Sequence, residues 1–171
     1  MKRRPLVQED SHPKRQYATP AVGPPPKASS ERIKRAMRSN RSIGTTPEVI
    51  LSRLLGKPLH RNNLPGRPDF VYPKARLAVF VHGDWWHRCP ECAIPLPKAH
   101  RSYWEKKLNR NVERDKIVKR ELEQIGWRVL EIWEHEVRED PKAAADRIRR
   151  RLLTRLTWAT FDGPLPNGLL D

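Results

Sequence analysis

Residues 64–87 read LPGRPDFVYPKARLAVFVHGDWWH, and the fold turns on them. Leu64-Pro65-Gly66-Arg67-Pro68 is a loop, because proline and glycine punctuate it. Asp69 stands at the start of a short strand, Phe70-Val71-Tyr72, and Pro73-Lys74 turns the chain. Leu77 to Val81 is a continuous apolar run, the pattern of a strand buried on both faces. It stops at His82-Gly83-Asp84-Trp85-Trp86-His87, which does not read as core.

Working outward, Ser102 and Glu105 have capping-box spacing and predict a long helix that ends at Gly126. Trp127 to Trp133 reads as another strand, and Asp140-Pro141 opens a last helix to about Leu156. Upstream, Thr46 can cap a helix whose first turn holds Pro47, with Val49, Ile50, Leu51, Leu54 and Leu55 packing inward. Before it, Ser30 to Asn40 predicts a short helix with a basic face, carried by Arg35, Arg38 and Arg41 among others. Residues 1–29 read as a flexible basic arm, 30–157 as one domain and 158–171 as a tail. The order helix, helix, strand, strand, helix, strand, helix predicts an α/β fold with a small mixed sheet flanked by helices.

The 171 residues suffice for one domain, and 37% are apolar. No apolar run has the length of a membrane span, and the basic N-terminus lacks the apolar stretch of a signal peptide. These features predict a soluble intracellular protein. The formal charge is +15, with 35 Lys and Arg against 20 Asp and Glu. Nucleic acid is the usual reason for such an excess; a ribosome-associated or merely soluble basic protein is the alternative. Cys89 and Cys92 stand in a C-P-E-C spacing, which in an intracellular protein suggests metal or redox chemistry before a disulfide.

The long helix carries an unusual stripe. Trp104, Leu108, Asn111, Asp115, Val118, Leu122 and Ile125 fall on one face, apolar at both ends and polar in the middle. A carboxylate turned towards a core costs several kcal/mol, on the order of the buried-charge penalty, unless it has a partner. The His82 strand end and the loop reaching His87 are the nearest partners; an arginine that pairs with Asp115 for stability alone is the other reading.

Nucleases of the PD-(D/E)xK type place an Asp on one strand and E-x-K on the next, where the carboxylates hold a metal. Pro68-Asp69 supplies the first half, but the second is Phe80-Val81-His82. The pattern alone leaves a nuclease undecided.

Four motifs in order resemble the very-short-patch repair (Vsr) endonuclease family: LPGRPDF at 64–70, VFVHGDWWH at 79–87, NVERD at 111–115 and GWRVLEIWEH at 126–135. The resemblance implies a PD-(D/E)xK-like restriction-endonuclease core, Mg²⁺-dependent nicking of duplex DNA beside a T·G mismatch, and a structural Zn²⁺. It puts the metal-binding aspartate on Asp69, a second ligand on the Val81 carbonyl, active-site histidines on His82 and His87, Asp115 against one of them, and a helix-borne glutamate on Glu48. We expect His87 with Asp115 to move the proton of water and His82 to stabilise the scissile phosphate. The resemblance also implies that Trp85 and Trp86 wedge into the base stack, with the first an aromatic departure from the family's usual Phe. Arg35, Arg38 and Arg41 are expected on phosphates. Location in the bacterial cytoplasm at the nucleoid, a mismatch-repair matchmaker partner and a link to a cytosine methyltransferase complete what it suggests, and nicking of one strand suggests a monomer.

For zinc the resemblance implies Asp84, Cys89, Cys92 and His135. Asp84 stands where the family usually has Cys, so His87 or His100 is an alternative ligand, and two free thiols without zinc are a further reading. The segment between Leu55 and Leu64 is shorter than the family's, which puts a first sheet strand in doubt. Two other functions stay open: a sequence-specific or restriction-type nuclease on the same site, and a zinc-stabilised DNA-binding module without catalysis.

Overall fold

A tight turn between two apolar runs makes the hairpin on which the other described elements pack. The computed structural model describes residues 22–27, 31, 35, 44–56 and 63–159, with side chains to 154. In chain order the elements are α1 (Thr46–Leu55), β1 (Phe70–Tyr72), β2 (Leu77–His82), α2 (Arg101–Gln124), β3 (Arg128–Trp133), α3 (Glu134–Glu139) and α4 (Pro141–Ala159). Strand β1 pairs antiparallel with β2, Phe70 opposite Val79 and Tyr72 opposite Leu77. The Asp69 N–H donates to the Val79 carbonyl at 2.9 Å, so the ladder reaches one residue before β1 and pins Asp69 to the sheet. Strand β3 pairs parallel with β2, Leu77 opposite Arg128 and His82 opposite Trp133. Parallel neighbours need a crossover connection, and α2 supplies it.

The period-two alternation of strands sorts side chains between two layers. Phe70, Leu77, Val79, Leu130 and Ile132 pack with Leu51 of α1, Val137 of α3 and Ala144, Ala145 and Ile148 of α4. On the other face Ala78, Phe80 and Val129 pack with Val118 and Leu122 of α2. The result is the expected α/β core, a three-stranded mixed sheet in the order β1-β2-β3 between helices. Among the described residues no helix is long and apolar enough to cross a membrane.

Several local expectations change. The cap of α1 is Thr45 rather than Thr46, and its hydroxyl donates to Glu48 Oε1 at 2.8 Å instead of capping the backbone. Helix α2 begins at Arg101 behind a left-handed His100, which leaves Ser102 inside the first turn and no capping box. Ile125 is half exposed because the helix has already ended there; Gly126, with φ +79°, completes the exit. Strand β3 starts at Arg128, α4 runs on to Ala159, and α3 was not foreseen. Only Leu77 to Val79 of β2 are fully buried; Phe80 and Val81 are less so, because they reach a cavity. His82 and Asp84, read as unlike core, are buried. Of the basic helix expected at 30–40, Arg35 is helical and exposed, while Arg38 and Arg41 lie outside the described residues, as does the segment 57–62.

The loop before Asp69 is held by close packing. Gly66 has φ +71°, and a Cβ there would lie 2.3 Å from Val118 Cγ1 on α2. Left-handed backbone and overpacking both oppose any side chain, so Gly66→Ala should cost about 2–3 kcal/mol in denaturant unfolding. Adding Val118→Ala should recover part of that loss, since only the contact and not the backbone strain is relieved.

Candidate active site

At the carboxyl end of β2 an open cavity of about 780 Å³ collects side chains from four elements and their loops. Its lining includes Glu48 of α1, Asp69, His82, Trp86, His87, and Asn111 and Asp115 of α2. Each is there for a local reason. Asp69 is fixed by its own backbone bond to β2, and its Oδ2 accepts the Val81 N–H at 2.7 Å. Glu48 is buried in the first turn of α1, where its oxygens accept from the Gly44 N–H at 2.7 Å and the Thr45 hydroxyl. Burial, with the neighbouring Glu48 carboxylate adding to it, pushes the Asp69 carboxyl up to about 7, although the Val81 N–H works the other way. A partly buried carboxylate facing another and raised in this way fits a divalent cation, whose charge would reverse the shift.

The two histidines stack with ring centroids 4.1 Å apart. His87 Nδ1 is 2.5 Å from Asp115 Oδ2. Burial lowers the pKa of His87 by more than the Asp115 hydrogen bond raises it. Burial works to raise Asp115, yet the His87 bond and the nearby His82 and Arg114 hold it below the usual carboxylate range. The two directions agree on one state: an ionised acceptor and a neutral ring whose proton sits on Nδ1. Nε2 of His87 is thereby left with a lone pair. The Asn111 amide donates to the Trp86 carbonyl at 3.0 Å, which ties the loop to α2. Trp85, Trp86 and Trp104 form an edge-to-face cluster, with centroids 4.7 Å apart for the first pair and 5.2 Å for Trp85 and Trp104.

A second cluster lies behind the loop. One donor atom each from Asp84, Cys89, Cys92 and His135 falls within 4.8 Å of the others, and all but Cys92 are buried. His135 Nδ1 is 2.9 Å from Asp84 Oδ1 and 3.3 Å from Cys92 Sγ. The cysteines are free thiols. Desolvation, then the Cys89 thiol and the Asp84 carboxylate, push the Cys92 thiol up to about 11. Two sulfurs, one imidazole and one carboxylate crowded in this way form a possible metal-binding group, and their chemistry suits a tetrahedral soft-to-borderline cation.

The family profile described as DNA mismatch endonuclease Vsr matches residues 27–93. The chain is 40% identical over 130 residues to the type II nicking enzyme V.XorIIP of Xanthomonas oryzae, covering 72% of this chain and 94% of the relative. It is also 38% identical over 123 residues to the DNA mismatch endonuclease Vsr of Escherichia coli, covering 67% and 79%. It belongs to the Vsr family. The type II nicking enzyme V.NaeI of Lentzea aerocolonigenes is 40% identical over 120 residues, 64% of this chain and 72% of the relative. The chain is therefore a DNA endonuclease, with DNA as its substrate.

Against this Vsr-family identity the site residues can be placed. Glu48, Asp69, Val81, His82, His87 and Asp115 line one cavity. Asp84, Cys89, Cys92 and His135 meet in the other cluster. Neither alternative zinc ligand joins that cluster: His87 pairs with Asp115, and His100 is an exposed helix cap. Trp86 lines the cavity and Trp85 packs beside it. Four polar residues were missed. Arg67, Arg114 and Glu134 line the cavity, and Glu131 Oε1 lies 3.8 Å from His82 Nε2. The His82 contact holds Glu131 below the usual range against burial. Its signal was legible: a glutamate alternating with Leu130 and Ile132 must face the α2 side.

The tautomer argument is testable. Asp115→Asn keeps the shape of the dyad but removes the acceptor that fixes the His87 proton, so single-turnover nicking should fall by about 10²–10⁴-fold. DNA affinity in a gel-shift assay should stay within a few-fold of wild type.

Proposed function

We propose that this chain nicks one strand of duplex DNA beside a T·G mismatch in very-short-patch repair, with Mg²⁺ held at Asp69 and the Val81 carbonyl. The observation that carries the reading is the shared cavity, in which Asp69, the stacked His82 and His87, and Trp86 stand together. When bound, the cation supplies Lewis-acid polarisation of the scissile phosphate. Asp115 holds the proton of His87 on Nδ1, so Nε2 takes the proton of the attacking water. His82, stacked on that ring, stabilises the scissile phosphate. Glu48 adds negative potential beside Asp69 and strengthens its hold on a cation.

Trp85 and Trp86 enter the base stack. Unstacking costs a few kcal/mol per step and less at a mispair, so wedging favours mismatched DNA. Asp84 and Cys89 bracket Trp85, Trp86 and His87 in sequence, and the Cys89 N–H donates to the Asp84 carbonyl at 2.8 Å. A structural zinc on Asp84, Cys89, Cys92 and His135 would therefore clamp the segment that carries both the wedge and the proton carrier. The basic arm 1–29 contacts phosphates together with Arg35, Arg38 and Arg41 at the start of the 30–157 domain. The reading assigns a monomer at the bacterial nucleoid, with a mismatch-repair matchmaker protein as its partner. A sequence-specific nicking role is the second reading, favoured by the Xanthomonas and Lentzea relatives, which are type II nicking enzymes.

The test is strand-specific nicking of a duplex with one T·G mismatch in varied contexts, by wild type and Asp69→Ala, with and without Mg²⁺. A nick on the thymine strand that needs both Mg²⁺ and Asp69, and is absent from the T·A duplex, is expected. Equal cutting of matched DNA would transfer the assignment to the sequence-specific role. Metal analysis should find one zinc per purified chain. Cys89→Ser and Cys92→Ser should each lose it and lower Tm, because binding energy at such a site is folding energy.

A further inference from the structure

The cavity that accepts a polyanion is itself acidic. Glu48, Asp69, Asp115 and Glu134 all line it, and its permanent cations are Arg67 and Arg114. Arg114 is engaged: one of its guanidinium nitrogens lies 3.3 Å from Asp115 Oδ1. The Arg67 side chain makes no hydrogen bond or ion pair among the described residues. The strand position where the PD-(D/E)xK pattern carries a lysine is His82 here. An uncommitted guanidinium two residues before the metal-binding aspartate is thus the cavity's one free permanent cation among the described residues.

The backbone under Arg67 adds an independent observation. Arg67 has φ +54°, directly after Gly66 at φ +71°. Left-handed backbone is disfavoured for a residue with a Cβ, and strain of this kind persists only where the surroundings over-determine it. They do so here. Pro65 and Pro68 are buried on either side, and the Arg67 N–H donates to the Leu64 carbonyl at 3.1 Å. Gly66 is pinched against Val118 and Phe80. A glycine would meet the backbone demand at position 67 without strain, yet the chain carries its largest cation there.

We propose that Arg67 is a phosphate-binding residue of the nicking reaction, gripping the scissile phosphate or the one next to it with its planar fork. This rests on the reading that the cavity holds the scissile phosphate. Arginine suits the task because it stays charged and presents paired N–H donors that match two phosphate oxygens. Its place in the loop lets it offset the cavity carboxylates, since Arg114 stays with Asp115.

The experiment compares wild type, Arg67→Gly, Arg67→Lys and Asp69→Ala on duplexes carrying a neutral methylphosphonate at single positions around the nick. Binding is measured without added divalent cation and nicking under single turnover. Arg67→Gly should nick about 10–100-fold more slowly, in the range of a lost charge-stabilising donor. Its binding should lose about one unit of salt slope, as for one phosphate contact. Its Tm should be at or above wild type, because the backbone strain is relieved. Arg67→Lys should restore part of the rate. In the decisive cross-comparison, one methylphosphonate within a nucleotide of the nick should weaken wild type but leave Arg67→Gly unaffected. If Asp69→Ala is inactive while Arg67→Gly nicks and binds like wild type, Arg67 has no such role and the cavity reading stands. If Asp69→Ala retains full activity, the cavity reading itself fails.

Discussion

Strand β2 is hydrogen-bonded along both edges, antiparallel to β1 and parallel to β3, and that double pairing leaves its side chains no freedom to slip. A shift of one residue would send His82 to the α1 face and Val81 to the α2 face. The register therefore decides where the chemistry sits. It puts His82 at the last paired position, places the Asp69 carboxylate against the Val81 N–H, and delivers the next loop to the face where α2 presents Asp115. The apolar half of β2 belongs to the core and the polar half to the site, and one strand joins them without an insulating layer.

The chain resolves two opposing demands of charge by separating them. Its net charge of +15 draws it to a polyanion over distances set by the Debye length. The cavity, by contrast, gathers carboxylates that would repel the same phosphate at contact. Such an arrangement works only if cations enter with or before the substrate, or if arginines at the rim compensate. Burial first, with the Glu48 carboxylate adding to it, raises the Asp69 carboxyl. The second cluster shows the same logic in a drier setting, with thiols and Asp84 crowded on His135 and Arg138, 3.9 Å from Asp84, as its only fixed counter-charge among the described residues.

Much of this was legible in the sequence, and the reasons differ by residue. The polar gap in the α2 stripe announced a partner for Asp115, because burying a carboxylate is too costly to be accidental, and His87 is that partner. The strands were legible because alternation and turns are local. Helix ends were not: whether Thr45 or Thr46 caps α1 depends on Glu48 folding back to take the hydroxyl, and the start of α2 on a left-handed His100. Helix α3 escaped notice because its six residues carry no full period of apolar spacing; the pairing of the Trp133 N–H with Glu136 Oε2 at 2.7 Å starts it. Glu131 and Arg67 escaped because each sits inside a motif whose other residues drew the attention.

The substitution of Phe80-Val81-His82 for an E-x-K element finally makes physical sense as a redistribution rather than a loss. A phenylalanine at the first position packs on α2 beside Val118, so the carboxylate it displaces must come from elsewhere, and Glu48 reaches the neighbourhood of Asp69 from α1. A histidine at the third position stacks on His87 instead of extending a long cationic stem, and in the proposed mechanism proton handling falls to the ring that Asp115 orients. On the proposal made for Arg67, permanent positive charge enters from the loop as well as from Arg114 of α2. In that proposal the functions that one strand could have carried are spread over α1, the 64–68 loop and α2. The close packing of Gly66 on Val118 ties that loop to the helix that holds Asp115, which lets a dispersed site behave as one rigid unit.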